Sequence, residues 1–358
     1  MIAVIGAGVT GLATAFALAT RGRDVVVLER HAKAGLDTST HNSGVIHAGL
    51  YYPPTSLKAA LCVEGRERLF AFAADHGVPH TRCGKLVVAT DTAEEPELER
   101  LATNAAASGA TVFARDAAFV RAREPHVRAT AALWSPDTGW IEAEAYVRAL
   151  QRACLALGTH VLVGTAIVGC EPAGDALRIT TAREQFEVEA IVNAAGLFAD
   201  DVSAMCGGET FRIYPCRGEY AELAPRARGL VHGLVYPVPH ASGHGLGVHV
   251  TRTLDGAVWL GPTIDYRQRK DDYEDGRLPL AAFLEPAQQL LPALTIDDLR
   301  LGGSGIRPKL HPATERFADF MIRQDAINPR LWHAAGIDSP GLTASLAIGE
   351  RLATLMTT

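Results

Sequence analysis

The sequence predicts an α/β protein in which a Rossmann-like βαβ domain is interleaved along the chain with an α+β unit built on an antiparallel sheet. Three observations predict it. An apolar strand run, Ile2 to Ile5, passes through Gly6-Ala7-Gly8-Val9-Thr10-Gly11 directly into a helical pattern. Apolar strand segments of the same buried character return far downstream, at Ala190 to Gly196 and Leu331 to Ala335. Between these returns lie short alternating strands with hairpin signals, which fit a separate sheet.

The elements follow in order. Leu12, Ala15, Phe16 and Ala19 recur at helical spacing and stop at Gly22, a favourable residue just past a helix end. Arg23 to Glu29 is the second strand of a βαβ unit, which places the first strand of the chain as the first strand of a nucleotide fold with no catalytic domain ahead of it. Lys85 to Ala89 and Ala131 to Trp134 read as strands around a polar helix near Glu94 to Ser108. Tyr146 to Leu157 reads as a helix ending at Gly158, followed by a strand from His160 to Ile167 and a hairpin at Ala173-Gly174-Asp175. Tyr214 to Leu223, Leu246 to Thr251 and Ala257 to Gly261 read as antiparallel strands, the last after an Asp255-Gly256 turn. A loop from Gly336 to Gly341 leads to a closing helix from Leu342. The expected division is 1–82, 143–212 and 300–358 for the nucleotide-binding domain, with 83–142 and 213–299 for the second.

Composition narrows the function classes. With 358 residues, 48% hydrophobic and 21% charged, the chain can bury a large core. A net charge of -6 without a basic stripe argues against nucleic acid as a partner. The six cysteines show no metal-ligand spacing and read as core thiols in a reducing compartment. No signal-peptide pattern or bilayer-length apolar stretch is present, so the expectation is a cytoplasmic protein, with peripheral contact to a membrane left open. His240, His244 and His249 sit among glycines with no aligning helix and no carboxylate beside them, so no metal is expected.

The glycine motif dictates specific chemistry. Gly6 turns the chain out of the strand, Gly8 leaves room for a pyrophosphate, and Gly11 lets the helix lie against the sheet. Glu29 then accepts from a ribose hydroxyl. A plain tight turn would explain the glycines alone, but not their place between strand and helix with Glu29 beyond. NAD and FAD share this motif. The return at Asn193-Ala194-Ala195-Gly196 favours FAD, because a two-domain flavoprotein brings later segments back to the same cofactor. Around the motif, the residues assigned to FAD are Gly6, Gly8, Thr10, Gly11, Glu29 and Arg30. A polar loop supplies Thr40, Asn42, Ser43, Gly44 and Val45, whose backbone N–H groups suit phosphate. Later segments add Ala166, Ile167, Ala195, Gly196, Arg307, Gly341, Leu342 and Thr343.

Asn42 to Gly65, NSGVIHAGLYYPPTSLKAALCVEG, resembles the L-2-hydroxyglutarate dehydrogenases and oxidases, within the wider family of FAD-dependent D-amino-acid oxidase-like enzymes. CGKLVVA from Cys83, RGEY from Arg217, YPVP from Tyr236, LGVHVT from Leu246 and WLGP from Trp259 extend the resemblance over nearly the whole chain. It implies a glutathione-reductase-type, Rossmann-like FAD domain with an interleaved substrate domain. Three departures stand out: the chain is shorter after Gly261-Pro262, Gly305-Ile306-Arg307-Pro308-Lys309 stands where a VRAQ-like segment is more usual, and Ile337 to Ser345 differs from the usual NAPSPAATSS.

The implied reaction is oxidation of a small 2-hydroxy acid to the 2-oxo acid, by hydride transfer from the carbinol carbon to flavin N5. It needs a base for the hydroxyl proton and a forked cation for the carboxylate. Arg307 is the expected carboxylate clamp, against a surface ion pair as the plain alternative. His47 and His249 are both candidates for the base, each able to titrate near neutrality. Tyr51, Arg217 and Lys309 are expected to meet substrate, although core packing, a structural ion pair and solvent exposure respectively would also explain them. The reduced flavin then needs quinone, oxygen or a carrier protein as electron acceptor. The alternative activity is an amino-acid or amine oxidase of the glycine/sarcosine type. A module that holds FAD without catalysis is a third reading.

Overall fold

The computed structural model of the chain describes residues 1–239 and 248–357. His240 and His244 lie outside the described residues, as do the first two residues of the strand expected from Leu246.

Strand β1 (Ile2–Ile5) and strand β2 (Val25–Leu28) are short, wholly buried apolar runs, the pattern of strands covered on both faces. They pair in parallel, with Ile5 opposite Leu28, and β1 pairs on its other side with Ala190–Asn193. The full order is Met321–Gln324, Leu331–Ala335, Ala190–Asn193, β1, β2, His160–Leu162, parallel except at the Met321–Gln324 edge. Segments from both ends and the middle of the chain thus build one sheet. Helix α1 (Val9–Thr20) crosses between β1 and β2 and packs on Gly341–Leu355, the closing helix. Among the described residues no helix is long and apolar enough to cross a membrane.

The strand expected from His160 to Ile167 is two elements. His160–Leu162 joins the parallel sheet, the chain turns at Val163-Gly164 with Gly164 at φ +64°, and Ile167–Ala173 starts a separate three-stranded antiparallel sheet. The hairpin at Gly174-Asp175 forms as expected.

The second domain is a nine-stranded sheet. From Asp265–Tyr266 it runs through Tyr214–Leu223, Val258–Gly261, His249–Arg252, Leu234–Pro237, Lys85–Ala89 and Ala131–Ser135 to Phe113–Asp116. It is antiparallel except for one parallel pairing, Leu234–Pro237 with Lys85–Ala89. Leu299–Lys309 also belongs here, since it pairs with Tyr214–Leu223 along nearly its full length. The boundary expected at 300 therefore falls at the start of a second-sheet strand rather than between the sheets. Each sheet has its own apolar cluster, one around α1, β1 and the closing helix, the other around Val235, Val250, Leu260 and Phe283.

One close approach sets the geometry of the first domain. A Cβ on Gly11 would stand 1.9 Å from the Gly6 carbonyl oxygen, so only glycine lets α1 lie this near the end of β1. Gly6 itself turns at φ +104°, a region that side chains disfavour. Gly11→Ala gains helix propensity of about 1 kcal/mol, yet the clash reverses the sign. The variant is expected to lose about 3 kcal/mol, as overpacked cores do, read as a lower midpoint in urea unfolding.

Candidate active site

A cavity of about 590 Å³ opens where the C-terminal ends of the parallel strands face the second sheet. Its floor is Ile5, Gly6 and Gly8 after β1, Leu28 and Glu29 after β2, and Ala194 to Phe198 after the strand Ala190–Asn193. Ligands in open α/β sheets bind at this position, outside the carboxyl ends of the strands. Gly218, Tyr220, Tyr236, His249 and Arg307 contribute from the second sheet.

Most residues assigned to a cofactor line this cavity: Gly6, Gly8, Thr10, Glu29, Arg30, Asn42, Ser43, Val45, Ala166, Ile167, Ala195, Gly196, Arg307, Gly341 and Leu342. Glu29 is buried, and its two carboxylate oxygens accept from Ala7 N and His31 N, each at 2.8 Å. Asn42 ties its loop, donating to Thr38 O and Ser39 O and accepting from Gly44 N.

Four assigned residues do not line it. Gly11 serves the helix–sheet contact described above. Thr40 donates to Gly35 O at 2.6 Å and braces the loop from behind. Gly44 packs where a Cβ would stand 2.4 Å from Ile141 O. Thr343 accepts from His47 N at 3.0 Å and donates to Val45 O, so it anchors the chain beneath His47.

The expected substrate residues also divide. Arg307 lines the cavity, its Nη1 donating to Thr263 O at 3.2 Å and approaching Cys216 Sγ at 3.9 Å. Among the described residues no carboxylate pairs with it. Its guanidinium lies against Gly218, where a Cβ would come within 2.7 Å of Nη2, so a side chain at 218 would displace it. Arg217, by contrast, points to the other face of the same strand. It is fully buried, with Glu219 at 2.7 Å, Asp272 at 3.3 Å and Asp265 at 3.6 Å, and it donates to Asp275 O. It is a structural ion pair, with its charge already answered by three carboxylates. Lys309 lines the cavity but is shared: its Nζ stands 3.2 Å from Asp338, which also holds Lys58 at 2.5 Å. Against its burial, these two lysines keep the Asp338 carboxyl below the usual carboxylate range.

His47, His249 and Tyr51 all line the cavity. His249 stacks on Tyr236, ring centroids 3.9 Å apart. The expectation that His47 titrates near neutrality is overturned: burial first, then the nearby Lys85 charge, lower its pKa from 6.5 to about 3. The imidazole is therefore neutral at physiological pH, with one ring nitrogen available to take a proton. Tyr51 is held protonated by burial, its pKa raised well above 10. Sequence reasoning passed over Lys58, Tyr220, Tyr236, His311 and Asp338, which complete the walls. For Tyr220 the signal was present, since it ends the RGEY segment two positions from Gly218.

A family model described as FAD dependent oxidoreductase matches residues 1–355. The chain belongs to this family. L-2-hydroxyglutarate dehydrogenase of Arabidopsis thaliana is 34% identical over 98% of this chain and 82% of its own length. The human mitochondrial enzyme of the same name is 30% identical over 98% of this chain and 87% of its own. Among solved structures, dithionite-reduced L-α-glycerophosphate oxidase from Mycoplasma pneumoniae with FAD bound superposes with a TM-score of 0.91 at 26% identity, covering 100% of this chain and 94% of that one. Glycine oxidase from Geobacillus kaustophilus shares the fold, with a TM-score of 0.84 at 23% identity over 99% and 94%.

This FAD-dependent oxidoreductase has a cradle that fits its cofactor. The N-terminus of α1 opens on the cavity beside Gly8, and the Val9 N–H is met there by Ser39 Oγ at 3.0 Å. A Cβ on Gly8 would come 2.8 Å from that hydroxyl and fill the space a pyrophosphate needs. Gly8→Val is accordingly expected to purify folded and colourless, with loss of the ~450 nm absorption of oxidised flavin. Full flavin occupancy in the variant would remove the pyrophosphate from this position.

Proposed function

We propose that the protein oxidises a small 2-hydroxy acid, L-2-hydroxyglutarate or a close analogue, to the corresponding 2-oxo acid. The observation that carries this reading is the Arg307 guanidinium, open to a cavity that fits FAD and paired with no carboxylate among the described residues. An arginine of that kind is a forked site for a substrate carboxylate. Curated relatives named for L-2-hydroxyglutarate, matched across 98% of the chain, support the hydroxy-acid branch.

Bound FAD supplies the two-electron acceptor. Arg307 fixes the carboxylate, and Gly218 sets how close the guanidinium stands to the strand. His47 accepts the hydroxyl proton: its imidazole is neutral, and with a pKa of about 3 it is a weak base that gains the proton only as the hydride leaves. Tyr51, protonated, offers a hydroxyl that has no hydrogen-bond partner among the described residues. Placement in the cytoplasm, and reoxidation by quinone, oxygen or a carrier protein, belong to the same reading. Oxidation of an amino acid is the second reading, because Arg307 would hold its carboxylate equally well.

Anaerobic mixing of the yellow protein with L-2-hydroxyglutarate is expected to bleach the flavin, whereas glycine and sarcosine leave it oxidised. Bleaching by the amino acids alone selects the second reading. Arg307→Leu is expected to stay yellow and to lose turnover by at least a hundredfold, as when one charged hydrogen-bonding anchor is removed from a buried site. The acid side of kcat/KM is a separate check. With the pKa of His47 at about 3, protonation of this base removes no activity between pH 8 and pH 5, whereas an imidazole at its ordinary 6.5 would cost more than tenfold over that range. A His47-dependent acid limb near pH 6.5 would contradict the neutral-base assignment.

A further inference from the structure

Behind the cavity wall lies a charged group that the proposed chemistry does not use. Lys85 starts the strand Lys85–Ala89 and is 1% exposed. Its Nζ has no hydrogen-bond partner and no carboxylate within ion-pair distance among the described residues. What surrounds it is aromatic: the Tyr51 ring centroid at 4.6 Å and the Tyr236 ring centroid at 4.4 Å. Both rings line the cavity, so the ammonium sits directly behind that wall.

An ammonium sealed from water without a counter-ion is costly, and two ring faces offset only part of the cost. The other titratable groups facing it supply no standing negative charge. Tyr51 and Tyr236 are held protonated by burial, and the Cys62 thiol on the neighbouring helix is pushed up to about 12 by burial, with Arg66 beyond it adding positive charge. On the cavity side stand His47, which is neutral, and His249 stacked on Tyr236. The field of Lys85 reaches the cavity, since it helps to depress His47.

We infer that Lys85 is the buried counter-charge for the substrate anion, completed electrostatically when a carboxylate enters the cavity on the far side of the Tyr51 and Tyr236 rings. The inference rests on the reading that the substrate is a carboxylate, and it holds for hydroxy acid and amino acid alike. Lys85 is a positioning residue, because it acts through the rings and the field and does not touch the ligand.

The consequence is a linkage between binding and protonation. Burial lowers the Lys85 pKa from 10.5 to about 7 in the ligand-free site. An anion favours the charged form and raises that pKa, so binding takes up a proton above pH 7 and affinity falls as pH rises. A coupling of about one pH unit, reasonable for charges several ångströms apart at an effective dielectric near 20, makes the whole change about tenfold.

The test is titration calorimetry of the flavin-loaded protein with 2-oxoglutarate and, in parallel, acetate, from pH 6 to 9 in two buffers of different ionisation enthalpy. The native protein is expected to take up a fraction of a proton near pH 8 and to bind about tenfold more weakly at pH 9 than at pH 6. Lys85→Met is expected to bind at the weak limit at every pH without that uptake, and Lys85→Arg at the tight limit at every pH. If only acetate shows the pattern, the Lys85 role stands and the hydroxyglutarate reading falls. No proton uptake by the native protein with any carboxylate that binds, or a Lys85→Met variant with native pH dependence, overturns the inference. Proton uptake is measured on the native protein, so a variant that failed to fold would leave the test intact.

Discussion

The structure depends on how closely helix α1 approaches the end of strand β1. Gly6 turns the chain, Gly11 leaves room for the Gly6 carbonyl, and Gly8 leaves the helix N-terminus open to the cavity at the strand ends, where Ser39 Oγ meets the Val9 N–H. Everything that binds is placed relative to that opening. The strands β2 and Ala190–Asn193, in register with β1, bring Glu29 and Ala195-Gly196 to the same edge of the sheet. The second sheet closes the far side, and the strand Leu299–Lys309 carries Arg307 across to it.

Charge within the molecule is sorted by whether a partner is built in. Arg217 meets three carboxylates, and Arg277 meets Glu219 and Glu274. Lys58 and Lys309 share Asp338. Arg307 and Lys85 have no such partner among the described residues. Lys85 is buried behind the cavity wall and Arg307 is half-buried in it, and a cation shielded from water without an internal anion favours an anion that enters. The selection of an anionic substrate thus follows from what the chain leaves uncompensated more than from the number of its cations.

Much of this was legible in the sequence because the signals were local. The glycine motif, Glu29, the returning strand with its small residues and the loop around Asn42 are each stated by residues within a few positions, and the fold places nearly all of them on the cavity. The failures share a cause: each depended on which face of an element a side chain takes, or on a partner distant in sequence. Arg217 was assigned to substrate, yet strand alternation puts Gly218 and Tyr220 on the cavity and sends Arg217 and Glu219 to the opposite face. Thr343 is spent on the backbone of His47, far away in the chain. The low pKa of His47 comes from burial and from Lys85 on another strand, neither of which sequence spacing reveals. The break at Gly164 was readable, because an isolated glycine inside a strand pattern already signals a turn or an irregularity.

In the proposed reaction Arg307, seated against Gly218, receives the substrate carboxylate in a cavity it shares with a neutral His47. A crystal structure of the flavin-loaded protein with a bound 2-oxo acid tests this most directly. The carboxylate is expected forked on the Arg307 guanidinium, with the 2-oxo oxygen turned toward the His47 ring. A carboxylate held elsewhere in the cavity, with Arg307 turned away or paired to a carboxylate of the chain, would contradict it.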